Sequence, residues 1–199
     1  MLVSHTYKFI IVNIPKTGCT SILNSILKHT SIDIMGDANT KGYYQHDTAL
    51  CIKEKLNQDG LKWNDYISYV RVRNPWSRYV SYCLWLQKKL KYYPIEKKHF
   101  EKNGYNFQKI LKYYIQNRIE PQHLFLLDGD NCIVTHVDKF ENLNNHFIKF
   151  CKNHNFTEPN LLHLNKNKPY FYRDFYNQEL IDLVAEKESY VIENYKYQY

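Results

Sequence analysis

Short apolar runs alternate with amphipathic segments along this chain of 199 residues. Two of the runs, residues 7–14 and 66–72, are rich in β-branched and aromatic side chains and end in turns, which predicts two buried strands. Helical periodicity and capping residues predict these helices: 20–29, 47 or 48 to about 57, 75–90, 107–116, 142–153 and 178–195. Strands that alternate with helices predict an α/β layered fold with a mostly parallel sheet.

The remaining segments complete this prediction. Residues 124–127 and 132–136 read as short strands that flank a turn, and residues 88–102 read as a charged surface loop. No repeat, low-complexity tract or linker interrupts the chain, which is long enough to bury a sizeable core. We therefore expect a single domain over residues 1–199.

The first apolar run ends in the sequence PKTGCTS, residues 15–21. Gly18 permits close backbone approach, and the N–H groups at the start of the next helix, near Thr20, point into the turn. Lys16 adds a full positive charge. Hydroxyl donors follow in the same segment: Thr17, Thr20 and Ser21. This pattern predicts an anion-binding turn, but not the P-loop of a nucleoside triphosphatase, because the lysine precedes the glycine and the first P-loop glycine is missing.

A second segment predicts what the anion is. The sequence RNPWSRYVSY, residues 73–82, follows the strand at 66–72, so that Arg73 lies at the carboxyl end of its strand as Lys16 does. Ser81 lies further along the helix that begins at Pro75. Because the carboxyl ends of parallel strands share one crevice, we expect both turns to meet around a single ligand with two anionic groups.

PKTGCTS followed by RNPWSRYVSY resembles the pair of signatures of sulfotransferases that use 3'-phosphoadenosine-5'-phosphosulfate (PAPS). The PKTG form resembles the carbohydrate (Golgi-type) enzymes and their bacterial relatives more than the cytosolic phenol and steroid enzymes. Three weaker matches extend the resemblance over nearly the whole chain: HDTA at 46–49, FENL at 140–143 and HLNK at 163–166.

The resemblance implies a P-loop-like three-layer fold, with a mostly parallel central sheet flanked by helices. It also implies transfer of a sulfuryl group from PAPS to a hydroxyl of a carbohydrate or related acceptor, with adenosine 3',5'-bisphosphate as product and no metal. The first turn would cradle the 5'-phosphosulfate and the second would bind the 3'-phosphate. The implied cofactor-binding residues are Lys16, Thr17, Gly18, Cys19, Thr20, Ser21, Arg73, Ser81 and Lys166.

Two residues are candidates for the chemistry. Lys16 would donate to the bridging oxygen as charge builds on the leaving phosphate, although a purely phosphate-binding lysine is an alternative. His46, at the family's His-x-x-Ala position, would take the acceptor proton, although a structural histidine is an alternative. Glu141 is the reserve base, and both His46 and Glu141 are candidate acceptor-binding residues. Arg78, in the second motif, could bind the 3'-phosphate or could equally pair with a carboxylate.

Other functions compete with this one. A nucleotide-dependent kinase would need a magnesium-binding carboxylate, for which Asp138 is the candidate, and a non-catalytic nucleotide-binding protein would need neither Lys16 nor His46. The basic balance, 27 Lys and Arg against 20 Asp and Glu for a net charge of +7, suits an anionic cofactor, and it also suits an anionic glycan or small-molecule acceptor. No RNA-recognition or helix-turn-helix signature supports a nucleic-acid partner.

Cysteine spacing and the search for targeting signals bear on metal binding, disulfide bonds and cellular location. The five cysteines are odd in number and have no C-x-x-C pair, which argues against a zinc site or a disulfide framework. Cys19 is a weak candidate for a catalytic thiol because no base accompanies it in the motif. With no signal peptide or apolar membrane span, we expect a soluble bacterial or viral enzyme of the cytoplasm, or of the Golgi lumen if the sequence comes from a longer eukaryotic protein.

Overall fold

The computed structural model describes residues 1–26, 33–36, 42–153 and 170–199. Its strands are β1 (Leu2–Ser4), β2 (Phe9–Ile11), β3 (Ile34–Met35), β4 (Ile67–Val72), β5 (Leu127–Asp128), β6 (Asn131–Cys132) and β7 (His136–Lys139). Its α-helices are α1 (Cys19–Ile26), α2 (Ala49–Gln58), α3 (Pro75–Lys89), α4 (Pro94–Lys102), α5 (Phe107–Asn117), α6 (Leu143–Asn153), α7 (Gln178–Lys187) and α8 (Ser189–Tyr195). Lys166, the HLNK segment and the predicted end of the first helix lie outside the described residues.

The chain divides into two compact units. The first contains Met1–Val72 and Gln122–Asn165, and the second contains Arg73–Pro121 and Lys166–Tyr199. The first unit holds all seven strands of the described residues together with α1, α2 and α6, whereas the second is helical. A single sulfotransferase domain over residues 1–199 stays a prediction.

The main sheet of the first unit is mixed, with strand order β3-β1-β2-β4-β7. The pairs β2–β4 and β4–β7 are parallel, whereas β1 pairs antiparallel with both β2 and β3. The prediction of a mostly parallel sheet is therefore wrong, although a central sheet flanked by helices is confirmed. The β1–β2 pair is antiparallel because only the turn at residues 5–8 joins the two strands, and a connection this short can only form a hairpin. The P-loop-like, three-layer form stays a prediction.

One face of this sheet builds the core that supports the candidate site. Alternation along β2 and β4 turns Phe9, Ile11 and Tyr69 to the same side, where they are almost completely buried. Ile22 from α1 and Phe147 from α6 pack against them in one apolar cluster. Burial of such side chains contributes roughly 1.5–3 kcal/mol each. The carboxyl ends of β2 and β4 are thereby held on a rigid layer.

Secondary structure differs from the sequence prediction at several places. Residues 88–102, predicted as a surface loop, form the end of α3, a 3-10 turn and helix α4, which begins at Pro94 because the fixed φ of proline suits the first helical position. The predicted strand 124–127 is a 3-10 turn up to Phe125 and joins β5 at Leu127, and the predicted strand 132–136 overlaps only the end of β6 and the start of β7. The predicted helix 178–195 is divided into α7 and α8 at Glu188.

Glu188 takes part in the buried ion pair of the second unit. Arg78 Nη1 donates to Glu188 Oε1 at 2.8 Å, and Arg78 Nη2 donates to the carbonyl of Glu120 at 2.8 Å. The two side chains are 1% and 0% exposed. Of the two interpretations open for Arg78, the structure therefore shows the carboxylate pair, which joins α3 to the junction of α7 and α8.

The described helices include none with the length and apolarity required to cross a lipid bilayer. The five cysteines are free thiols, and burial raises the pKa of the Cys151 thiol to about 12. The Cys83 thiol is buried completely, which also raises its pKa. Both thiols are therefore protonated at neutral pH and act as packing groups.

Arg78→Met should lower the free energy of unfolding by about 3–5 kcal/mol, because Glu188 would remain buried without its partner. Urea denaturation measures the change. The double variant Arg78→Met, Glu188→Leu should recover most of the loss, since it removes both charges and keeps apolar volume. A single variant that unfolds at the wild-type urea concentration would contradict this role.

Candidate anion-binding site

The turn at residues 14–19 has an unusual backbone that local hydrogen bonds hold in place. Lys16 (φ +71°) and Gly18 (φ +83°) both adopt the left-handed conformation, which costs a lysine of order 1 kcal/mol or more. The Thr17 hydroxyl donates to the carbonyl of Ile14 at 2.8 Å, and the Cys19 thiol donates to the same oxygen at 3.1 Å. Hydrogen bonds from two side chains thus stabilise the turn by closing it on Ile14, which follows β2.

Helix α1 begins directly after this turn. The first helical hydrogen bond runs from the Ile22 N–H to the carbonyl of Gly18 at 3.2 Å. The N–H groups that precede Ile22 in the first turn have no acceptor inside the helix, and they carry the positive end of its dipole. The first turn contains no acidic residue, and half-buried Lys16 lies two residues before Gly18. These features make the turn suitable for an anion.

Gly18 connects this turn with the FENL segment. A Cβ atom placed on Gly18 would lie 2.8 Å from Cδ2 of Leu143 and 3.1 Å from Cε2 of Phe140. Any side chain at this position would therefore displace residues that follow β7. Glu141 lies between these two apolar residues in an exposed 3-10 turn. The structure thus brings the FENL segment against the first turn.

His46 is exposed and lies beside the end of β2. Its Nδ1 lies 2.8 Å from the carbonyl oxygen of Asn13. Because a carbonyl only accepts, Nδ1 carries the proton in the neutral ring, and Nε2 carries the lone pair. The next residue, Asp47, is anchored by Lys55 at 2.6 Å, and Thr48 caps α2 by accepting from Cys51 N. In the neutral ring, Nε2 is therefore the basic nitrogen of His46.

Arg71 is a site residue that the sequence analysis missed. It is completely buried in β4, and its Nε donates to the carbonyl of Thr17 at 3.3 Å. Its Nη2 donates to Asn13 Oδ1 at 3.3 Å and lies 3.7 Å from Cys19 Sγ. Its guanidinium also lies 5.5 Å from the ring centre of Tyr69, a phenol whose pKa is raised by burial. One signal was present in the sequence: a charged residue inside an otherwise apolar strand.

The second motif lies in the helical unit and forms a local network. Arg73 Nη2 donates to the Ser77 hydroxyl at 2.9 Å, and the Ser77 N–H donates to Asn74 Oδ1 at 3.0 Å, which caps α3. Ser81 is 4% exposed on the same helix. The meeting of this motif with the first turn around one ligand stays a prediction.

The carboxylate considered for a kinase has a neighbour of its own. Asp138 lies within β7 rather than after it, and its Oδ1 lies 3.4 Å from Nδ1 of His146. Within the ranges that the structure describes, no three His, Cys, Asp or Glu side chains are grouped as metal ligands.

Comparison with known proteins agrees with the motifs. A family model described as "Sulfotransferase family" matches residues 1–182. Neither the curated proteins nor the solved structures contain a significant match to this sequence. Because the family model spans the anion-binding turn, the RNPWSRYVSY motif and the FENL segment, the chain belongs to the sulfotransferase family.

Proposed function

We propose that this protein transfers a sulfuryl group from PAPS to a hydroxyl of a carbohydrate or related small molecule, and that residues 1–199 act as one sulfotransferase domain. The observation that carries the proposal is the turn between β2 and α1, where left-handed Lys16 and Gly18 precede an acid-free helix start. The family supports PAPS as the donor. The PKTG form of the turn favours a carbohydrate acceptor, and the net charge of +7 suits an anionic one.

In the proposed reaction, the acceptor oxygen attacks sulfur in line with the oxygen that bridges sulfur and the 5'-phosphate. The new O–S bond forms as the bridging O–S bond breaks, and adenosine 3',5'-bisphosphate leaves with the electron pair of that bond. By analogy with phosphoryl transfer, such a loose transition state needs positioning and charge stabilisation more than covalent help. Lys16 and the start of α1 supply the positive charge on the leaving side, without a metal ion.

His46 is the proposed base on the entering side. Because its Nδ1 donates to Asn13, the lone pair of the neutral ring is on Nε2, and we propose that Nε2 takes the acceptor proton. Glu141 is the reserve, because it follows Phe140, which packs against Gly18. Either residue would also contact the acceptor hydroxyl.

The proposed contacts with PAPS take account of the hydrogen bonds that these side chains already make within the protein. The Thr17 hydroxyl donates to Ile14, so we propose that Thr17 offers PAPS its backbone N–H. Gly18, Cys19, Thr20 and Ser21 contribute the further N–H groups of the turn and the first helical turn. Arg73 and Ser81 are proposed to bind the 3'-phosphate, and Lys166 to cover the nucleotide.

Adenosine 3',5'-bisphosphate should bind in the presence of EDTA. At ten times its Kd it should stabilise the protein by about RT ln 11, ~1.4 kcal/mol, or roughly 3–6 °C in Tm. Arg73→Ala should weaken this binding by roughly 1.5–3 kcal/mol while changing adenosine 5'-phosphosulfate binding little, because that ligand lacks the 3'-phosphate. The control Arg118→Ala removes an exposed arginine that pairs with Glu96 at 2.7 Å, and it should bind both ligands normally.

The same titration separates the competing function. Stabilisation by ATP that requires magnesium, with none from adenosine 3',5'-bisphosphate, would replace the sulfotransferase proposal with a kinase. A screen of candidate acceptors by mass spectrometry, scored as an added SO3, then identifies the acceptor.

Lys16→Ala should lower kcat by on the order of 100-fold, about 2.7 kcal/mol, with a smaller change in PAPS affinity, because the lysine acts on charge that develops in the transition state. Lys8→Ala is a matched control, since Lys8 also has a left-handed backbone (φ +52°) but precedes β2 instead of following it. Steady-state kinetics with saturating acceptor measure both. A Lys16 variant with normal kcat and a raised KM would show a lysine that only binds phosphate.

His46→Ala should abolish most activity and remove the acidic limb of the pH profile of kcat, because a protonated histidine cannot take the acceptor proton. Binding of adenosine 3',5'-bisphosphate should be unchanged. His46→Gln should be nearly as slow, since an amide restores hydrogen bonding but not proton uptake. If Glu141→Gln reproduces the loss while His46→Ala stays active, the base is Glu141.

A further inference from the structure

Arg71 carries a positive charge that no carboxylate neutralises within the described part of the chain. It is 0% exposed, and its polar contacts are the three with Thr17, Asn13 and Cys19. Its Nη1 is buried and has no hydrogen-bond partner among the described residues. Burial of a charge with so little compensation is unfavourable for the free energy of folding. Such a cost calls for a physical reason.

Two carboxylates lie in segments next to Arg71, and neither forms an ion pair with it. Asp138 is opposite Arg71 in the register of β4 and β7, and its Oδ1 lies 3.4 Å from Nδ1 of His146, which carries a charge only when protonated. Asp47, in the segment that carries His46, pairs with Lys55 at 2.6 Å. Arg71 therefore forms no ion pair among the described residues, and its positive charge adds to the field at the end of β2.

Every hydrogen-bond acceptor of Arg71 belongs to the anion-binding turn or to Asn13, which lies shortly before it. Nε binds the carbonyl of Thr17, which lies between left-handed Lys16 and Gly18. Nη2 binds the side chain of Asn13, whose backbone carbonyl holds His46. One buried guanidinium is thus connected both to the turn and, through Asn13, to the proposed base.

We propose that Arg71 is a positioning residue whose buried charge is balanced by the anion bound in the turn at residues 15–21, and which holds that turn from inside the protein. The identity of the anion as PAPS or its product rests on the proposed function, whereas the role of Arg71 requires only that the turn binds an anion. The anion then serves as the counterion that the described chain does not provide. The free protein bears the cost of the buried charge, and the bound form recovers it.

This role predicts opposite effects on stability and affinity. A residue that only supports the fold would lower stability when removed and leave affinity unchanged. Removal of the Arg71 charge should leave the free protein as stable as wild type or more so, while anion binding weakens. The matched control is Arg78→Met, which removes a buried arginine that has a carboxylate partner in Glu188.

The experiment measures Tm of the free proteins and Kd values by calorimetry, in buffer free of sulfate and phosphate. The probes are inorganic pyrophosphate and adenosine 3',5'-bisphosphate. Free Arg71→Met should melt at or above the wild-type Tm and bind both probes about 10- to 100-fold more weakly. Arg71→Lys, which keeps the charge, should bind within about 3-fold of wild type, whereas Arg71→Gln, which keeps an amide donor without charge, should bind as weakly as Arg71→Met. Arg78→Met should lower Tm by on the order of 10 °C.

The outcomes separate this proposal from the proposed function. Wild-type Kd values in Arg71→Met and Arg71→Gln overturn the role of Arg71 and leave the sulfotransferase proposal intact. Pyrophosphate binding that depends on Arg71, without binding of the bisphosphate, supports the role of Arg71 and overturns the sulfotransferase proposal. Binding of neither probe to wild type overturns both. If Arg71→Met does not fold, the comparison of Arg71→Gln with Arg71→Lys decides in the same way.

Discussion

Parallel pairing of β2 with β4 continues past the end of β2, where the Val12 N–H donates to the carbonyl of Tyr69 at 2.9 Å. This hydrogen bond fixes the register in which Asn13 leaves the sheet beside Arg71. Since side chains alternate along a strand, Ile11 and Asn13 face the same side of the sheet, as Tyr69 and Arg71 do. A slip of one residue would turn Asn13 and Arg71 to opposite faces and separate the turn from its support.

The backbone of the turn shows where the protein accepts strain. At Gly18 the left-handed conformation costs little, and the missing side chain admits Leu143 and Phe140. At Lys16 a glycine would also relieve the backbone, but it would remove the charge that the proposed reaction needs. A strained lysine is therefore consistent with a function for its side chain, and the bonds from Thr17 and Cys19 to Ile14 keep the turn in that shape.

Elements with strong local signals were predicted well from the sequence. Helix α2 begins after the Thr48 cap, and α3 begins at Pro75, because capping and proline geometry act within one turn. Strand β1 was not predicted because three residues are too few to show alternation. Helix α4 was not predicted because most of its residues are charged or exposed and only Phe100 is buried, so that its apolar periodicity is weak. The sequence motifs gave the turn and His46 as candidates, but the contacts of Arg71 and of Phe140 depend on segments distant in sequence. Local patterns cannot supply such contacts.

Two buried arginines in this chain are stabilised in different ways. Arg78 has its counterion in Glu188, and both charges lie in the same helical unit, so that the pair is complete within the fold. Arg71 is held by a carbonyl, an amide oxygen and an aromatic ring, which are neutral groups that orient a guanidinium without cancelling its charge. Because these partners are neutral, the positive field of the Arg71 guanidinium remains, whereas a carboxylate partner would cancel it. The positive field of Arg71 lies at the end of β2, next to Lys16 and to the start of a helix without acidic residues, and it favours the binding of an anion there. The charge of Arg78 gives no such field, because Glu188 neutralises it.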